Sequence, residues 1–431
     1  MAYNKLHNFV RQLTEKITAG GSGQSAVFSH WQSVSAKIGS HPGYEQHHKI
    51  KGIKMKKIVH GLLLLILASH WSSWAAARLP VLQELTIDSA VLGEKRDLVL
   101  YLPEGYQTSQ DRYPVLYLTD GNIQGLHTAG TIDYLAKFEQ MPPMIVVGIV
   151  NPRETRERDL TVTPLEKQNP NQLENADRFL DFVENEVIAF VKKQYRTLDY
   201  QVLSGTSHGG QFAINALVKR PGLFDGIIAI SPSLYWNNHQ LPGLAEQALK
   251  SDQLQGRLFV SIANEESTMT ESYQRFVDLL ARYPSNKLTV ASQTFSNETH
   301  NTTVLQGQYA GLKYLFSEWP IPEGEPKTLA DLQAKFASRS KLLKTEIIIP
   351  EDKANGYAGW LQYLNRQDDA LALLKWNRAN YPQSLDAHTA LIKAYLHFKM
   401  PEDAKAALKD ALKTLNELSP EQKAQFEALF T

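Results

Sequence analysis

The sequence predicts an α/β fold, a mostly parallel sheet covered by helices on both faces, followed by a smaller all-α domain. Three observations predict it. Near-continuous Val, Ile and Leu runs of strand length recur up to about residue 318, as in sheets buried on both sides. Segments of helical periodicity separate these runs, the alternation that βαβ units produce. From about residue 355 the strand signal ceases and only helical spacing remains.

The first elements precede the sheet. Residues 1–54 are polar, aperiodic and contain Gly and Ser, and they read as a non-native or disordered extension, with translation expected to start at Met55. Residues 55–77 read as a signal peptide. Lys54, Lys56 and Lys57 supply the positive flank, Gly61 to Ala68 the apolar centre, and Ala75 to Ala77 a small-residue cleavage site. Ser69, His70, Ser72 and Ser73 leave that centre short for a membrane span. A periplasmic or secreted protein is expected, touching a membrane only through this segment if it is uncleaved.

A catalytic domain is expected over 78–318. "LTIDS" and "RDLVLYLP" read as opening strands, then "YPVLYLTDG", "MIVVGIVN", "YQVLSG", "GIIAISP", "RLFVSIAN" and "LTVASQTF". "ADRFLDFVENEVIAFVKKQY" and "TESYQRFVDLLARY" read as helices. The proline-rich stretch around 318–332 marks a boundary, and 319–354 reads as a linker and helical connection with one brief strand-like run, "EIIIP". Over 355–431 a period of 34 residues sets Leu361 over Tyr395, Leu364 over Phe398, Ala370 over Ala404 and Leu374 over Leu408. That spacing fits a tetratricopeptide-like pair of helical hairpins, a surface on which a protein partner could dock.

Composition narrows the function classes. Lys plus Arg equals Asp plus Glu at 45 each, so no net field favours nucleic acid, and none is expected as a partner. The absence of cysteine removes disulfides, Cys-based zinc sites and thiol nucleophiles together.

The chemistry-bearing motif is Gly205-Thr206-Ser207-His208-Gly209, a G-x-S-x-G elbow between the strand-like "YQVLS" and the helix-like "GGQFAINALVKR". Such an elbow holds a serine at the C-terminal edge of a sheet, with glycines leaving room for the neighbouring chain. A serine hydroxyl needs a base within hydrogen-bond reach, and proteins with this elbow order their triad Ser, acid, His. Of the histidines that follow, His208 belongs to the elbow and His239 comes too early to allow an acid before it. His300 stands in the loop "SNETHNTT" after the last strand, where the base is expected. The acid should end "RLFVSIAN", where Glu266 is preferred and Glu265 is the alternative; Asp278, inside a helix, is weaker. For the oxyanion, the amide of His208 and an amide from the loop "LYLTDGN", taken as that of Asn122, are the expected donors.

At this point the sequence resembles the putative-esterase family of α/β-hydrolases, which includes esterase D-like enzymes, ferric-siderophore esterases and mycolyl transferases. The stretches that carry the resemblance are "YPVLYLTDGN", "VVGIVNPRETRERDLTVTP", "GTSHGG", "GIIAISPSLYW" and "ETHNTT". It implies Ser207 as nucleophile, His300 as base, Glu266 as acid and the amides of Asn122 and His208 as the oxyanion hole. It further implies that Arg158 and Asp159 border the cleft and that Tyr235 and Trp236 line the acyl or leaving-group pocket. The sequence departs from relatives in carrying His208 where many have an apolar residue and in lacking a glycine before "EE".

The expected function is therefore serine esterase, acting on a small-molecule ester without metal or organic cofactor. Acyl transfer to a second alcohol and an inert scaffold that binds a partner through its helical tail are the alternatives. Arg153, Arg156 and Arg158 raise a basic cleft for an anionic siderophore as one substrate among several.

Overall fold

A computed structural model of the chain describes residues 81–163, 175–322, 324–415 and 418–430. The expected extension and signal segment lie outside the described residues. Residues 79–431 form one compact unit.

Eight strands build one sheet: β1 (Val81–Ser89), β2 (Glu94–Leu102), β3 (Tyr113–Leu118), β4 (Ile145–Ile149), β5 (Thr197–Thr206), β6 (Gly226–Ile230), β7 (Gly256–Ala263) and β8 (Leu288–Phe295). Their order across the sheet is β1-β2-β4-β3-β5-β6-β7-β8. β2 pairs antiparallel with β1 and with β4, and every pair from β4 to β8 is parallel.

Helices fill the connections: α1 (Gly121–Lys137), α2 (Arg153–Leu160), α3 (Asn175–Phe182), α4 (Ala189–Gln194), α5 (His208–Lys219), α6 (Trp236–Lys250), α7 (Ser267–Arg282) and α8 (Thr303–Leu315). A π-turn, Val183–Ile188, links α3 and α4.

Strand side chains alternate faces, and both faces here are apolar. Val115, Tyr117, Leu203, Ile227 and Val260 pack one way, against Phe179, Phe212 and Phe276. Leu116, Leu118, Val202, Ile228 and Phe259 pack the other way, against Ile132, Leu312 and Leu315. At the edge, β8 buries only its terminal residues Leu288 and Phe295, which explains its weaker apolar run.

Beyond the sheet come α9 (Leu329–Leu343), α10 (Glu351–Tyr363), α11 (Gln367–Asn380), α12 (Leu385–His397), α13 (Pro401–Thr414) and α14 (Pro420–Glu427). The bounds of α12 and α13 repeat those of α10 and α11 after 34 residues. Leu361, Ala370, Leu374, Tyr395 and Ala404 of the repeat are buried in a third core, against which Phe398 and Leu408 pack, whereas Leu364 is exposed. "EIIIP" forms no strand; it is an extended connection between α9 and α10. The helical part is anchored to the sheet part by Leu343, buried in the second core, and by the ion pairs Lys344 to Asp225 and Lys353 to Glu139. No helix among the described residues is long and apolar enough to cross a membrane.

Candidate active site

The site gathers at the C-terminal ends of β3, β5, β6, β7 and β8. Ser207 joins β5 to α5 at φ 61°, ψ −121°, a conformation that costs a non-glycine residue about 1–3 kcal/mol. Its backbone is held on both sides: its N–H donates to Ile230 O at 3.0 Å, and its carbonyl accepts from Ser233 N at 3.1 Å and Gln211 N at 3.0 Å. The flanking glycines are steric requirements. A Cβ on Gly205 would lie 2.2 Å from Gly209 O, and one on Gly209 would lie 2.2 Å from Thr119 Oγ1. The Ser207 hydroxyl is 3.3 Å from Ser233 Oγ and, among the described residues, makes no hydrogen bond to His300.

His300 and a carboxylate do meet, and the carboxylate is that of Glu265. His300 Nδ1 lies 2.9 Å from Glu265 Oε2. The other oxygen, Oε1, accepts from Ser231 Oγ and, at 3.3 Å, from Ala263 N. Burial pushes the Glu265 carboxyl up, but the bonds from His300, Ser231 and Ala263 outweigh it and hold the group below the ordinary carboxylate range.

The preference for Glu266 is corrected by this geometry. Glu266 is the exposed N-cap residue of α7, and its carbonyl accepts from Met269 and Thr270. β7 ends at Ala263; the Glu265 side chain turns back to Ser231 and Ala263, while Glu266 opens α7. Asp278 is exposed on α7, bonded to Gln274.

Two uncapped helix N-termini face the same edge. α5 begins at His208, and α1 begins at Gly121 with Asn122 in its first turn. The amides of His208 and Asn122 have no acceptor among the described residues. The loop before α1 is tightly tied. Asp120, left-handed at φ 56°, takes a two-pronged bond from Arg156, Nε to Oδ1 at 2.6 Å and Nη2 to Oδ2 at 2.9 Å. Asp120 N donates to Asn151 Oδ1 at 2.9 Å. Arg156 Nη2 also reaches Thr206 O at 3.4 Å, one residue before the elbow serine.

The remaining expected residues divide. Trp236 packs edge-on against His208, with ring centroids 4.9 Å apart, and Tyr235 lies next to it at 6.5 Å. Burial lowers the His208 pKa, and the charge of Arg156 acts in the same direction. Trp236 opens onto Asn237, Asn238 and His239, three successive left-handed residues pinned by Asn237 Nδ2 to Val162 O at 2.6 Å. Arg158 and Asp159 belong to an ion network. Buried Asp159 pairs with buried Arg96 at 2.5 Å, while Arg158 reaches Asp159 at 2.8 Å and Glu94 at 2.6 Å. Neither bonds Ser207 or His300.

Ser231, Ser233 and Asn151 were not singled out as site residues on sequence grounds, and Arg156 was read only as one of three arginines of a basic cleft. The available signals were hydroxyls in "SPS" after a wholly apolar strand and a lone Asp after another.

A family model described as putative esterase matches residues 89–307, just over half of the chain. The chain belongs to the putative esterase family. It is 28% identical over 256 residues to the siderophore triacetylfusarinine C esterase of Aspergillus fumigatus, covering 51% of this chain and 86% of that one. It is 29% identical over 142 residues to the ferri-bacillibactin esterase BesA of Bacillus subtilis, covering 29% and 49%. Among solved structures it is similar to an IroE-like serine hydrolase from Shewanella oneidensis, with TM-score 0.60, 28% identity, 70% of this chain and 100% of that one. A Capnocytophaga ochracea protein, TM-score 0.62 at 19% identity, covers 81% of this chain, more than residues 79–318 could supply, so the shared fold extends into the C-terminal helices. The chain is a carboxylic ester hydrolase of α/β-hydrolase fold.

Proposed function

We propose that the protein hydrolyses its ester through an acyl-enzyme formed on Ser207. The observation that carries this reading is the 2.9 Å contact of His300 Nδ1 with the largely buried Glu265 carboxylate, at the same sheet edge as a strained serine. Glu265 accepts a hydrogen bond from Nδ1–H, which fixes the tautomer and leaves Nε2 as the base. For attack the Ser207 hydroxyl, which lies 3.3 Å from Ser233 Oγ, must turn to His300 Nε2, and rotation about Cα–Cβ between staggered wells is the motion this requires. Ser207 Oγ then attacks the ester carbonyl as its proton passes to His300, which returns it to the leaving alcohol. Water repeats the sequence and releases the acid. The amides of His208 and Asn122 stabilise each oxyanion.

For substrate we propose a siderophore ester, on the strength of the two relatives so named. The arginines lend less support than the sequence implied: Arg156 is engaged by Asp120, and Arg158 by Asp159 and Glu94. Hydrolysis rates over ferric siderophores, feruloylated sugars, acetylated sugars and short thioesters test this, and faster turnover of any other class overturns it. Export by the segment 55–77, and a tetratricopeptide-like reading of α10–α13, belong to the same proposal. Cell fractionation with N-terminal sequencing of the mature chain checks the export.

The mechanism is tested with a fluorophosphonate probe. It should label the wild type and leave Ser207→Ala unlabelled; equal labelling of both would refute the assignment.

A further inference from the structure

We infer that Arg156 is a positioning residue that keeps one oxyanion donor open by holding a carboxylate away from it. The inference rests on the proposed role of Ser207. Asp120 is the residue that precedes α1, and an aspartate there ordinarily turns a carboxylate oxygen onto the amide two or three residues ahead. Those amides belong to Asn122 and Ile123. Asp120 makes no such bond, because capping requires an extended backbone and Asp120 is left-handed at φ 56°, ψ 39°.

Its carboxylate is instead taken by both prongs of Arg156, at 2.6 and 2.9 Å. The amides of Ile123 and Gln124 turn to Asp120's own carbonyl, each at 2.9 Å, and that of Asn122 is left without an acceptor among the described residues. The same guanidinium touches Thr206 O at 3.4 Å, so it spans the two segments that carry the proposed oxyanion amides. Thr119 against Gly209 and Gly121 against the Gly148 backbone fix how closely the loop sits. Neither contact governs the carboxylate.

Without Arg156, the helix N-terminus attracts the released Asp120 carboxylate. The left-handed backbone still bars a capping bond, but the freed negative charge lies beside the Asn122 amide, where the oxyanion must form. The loss of Arg156 is therefore partly reversed by also removing the carboxylate. A merely structural ion pair also relaxes when the stranded, buried carboxylate is removed, but its loss and recovery appear in the thermal midpoint and leave kcat of the folded enzyme unmoved.

The test compares wild type, Arg156→Met, Asp120→Gly and the double variant in the full chain, reading kcat and KM on 4-nitrophenyl acetate, labelling by fluorophosphonate, and the thermal midpoint. Glycine suits the left-handed backbone at position 120. Arg156→Met should lower kcat about 100-fold, the scale of one lost oxyanion donor, with KM nearly unchanged. The double variant should recover at least about tenfold of that loss. A single variant within about threefold of wild type, or a double variant no faster than Arg156→Met, overturns the inference. If Arg156→Met fails to fold, Arg156→Lys carries the same comparison, its single ammonium replacing the fork. Failure of the probe to label Ser207 in the wild type would instead strike the underlying reading of the nucleophile.

Discussion

Glu265 and Glu266 differ by one position and by their whole environment. The Glu265 carboxylate lies under His300 with Ser231 and Ala263 on its other oxygen, while Glu266 is exposed. Glu265→Gln should lower kcat by about 100- to 10,000-fold, because the imidazole loses its tautomer and the imidazolium its counter-charge. Glu266→Gln should stay within about threefold of wild type in the same assay. The lowered Glu265 pKa also sets a pH dependence. Its stabilising contribution is present above the unfolded carboxylate pKa and is lost as pH falls through the lower folded value. The thermal midpoint of wild type relative to Glu265→Gln should therefore fall on acidification from pH 7 to below about 4. At this scale the sequence carried the serine, the histidine and both glutamates, but the choice between adjacent carboxylates depends on which one the strand end turns inward. Ser231 and Arg156 were illegible as partners because their contacts join positions 34 and 36 residues apart across the sheet edge.

Two glycines separate steric need from mere tolerance at the scale of the element. Gly209 opens α5 with no room for a Cβ, whereas Gly130 lies exposed within α1 with nothing within 4 Å of where its Cβ would be. Gly209→Ala should lower both activity and thermal midpoint, since the Cβ would fall 2.2 Å from Thr119 Oγ1 and 3.2 Å from Thr119 Cβ, a short side chain that cannot yield cheaply. Gly130→Ala should raise stability by about 0.5–1 kcal/mol through helix propensity and leave activity unchanged, as denaturant titration with a parallel esterase assay would reveal. The central strands were legible because both their faces are buried, which writes continuous apolar runs into β3, β4 and β6, whereas the edge strands β1 and β8 are largely exposed and carry weaker runs. "EIIIP" misled for a related reason: Ile347 and Ile349 pack on cores while Ile348 is exposed, a strand-like pattern made by a connection with no strand beside it. The left-handed turn at Asn237–His239 left no propensity signal beyond two asparagines, the residues that best tolerate that conformation.

The molecule as a whole joins a hydrolase sheet to a helical tail that contributes to the sheet's own core. Leu343, at the end of α9, is 3% exposed among residues of the second core, with Trp319 and Leu342 packed against it. Leu343→Ala should destabilise the chain by about 2–5 kcal/mol in denaturant titration with KM unchanged, and truncation after residue 318 should bare this apolar face and lower solubility. The 34-residue spacing foretold the two helix pairs, while their anchorage through Lys344 to Asp225 and Lys353 to Glu139 follows from tertiary packing that no local pattern encodes. The central claim also belongs to this scale, since the sheet must bring Ser207, Glu265 and His300 together from the ends of β5, β7 and β8. Peptide mapping of the fluorophosphonate adduct, timed in wild type, Glu265→Gln and Glu266→Gln, tests it most directly. The account expects the adduct on Ser207, formed at equal rates in wild type and Glu266→Gln and far more slowly in Glu265→Gln; an adduct on another residue, or equal rates in the two glutamine variants, would contradict it.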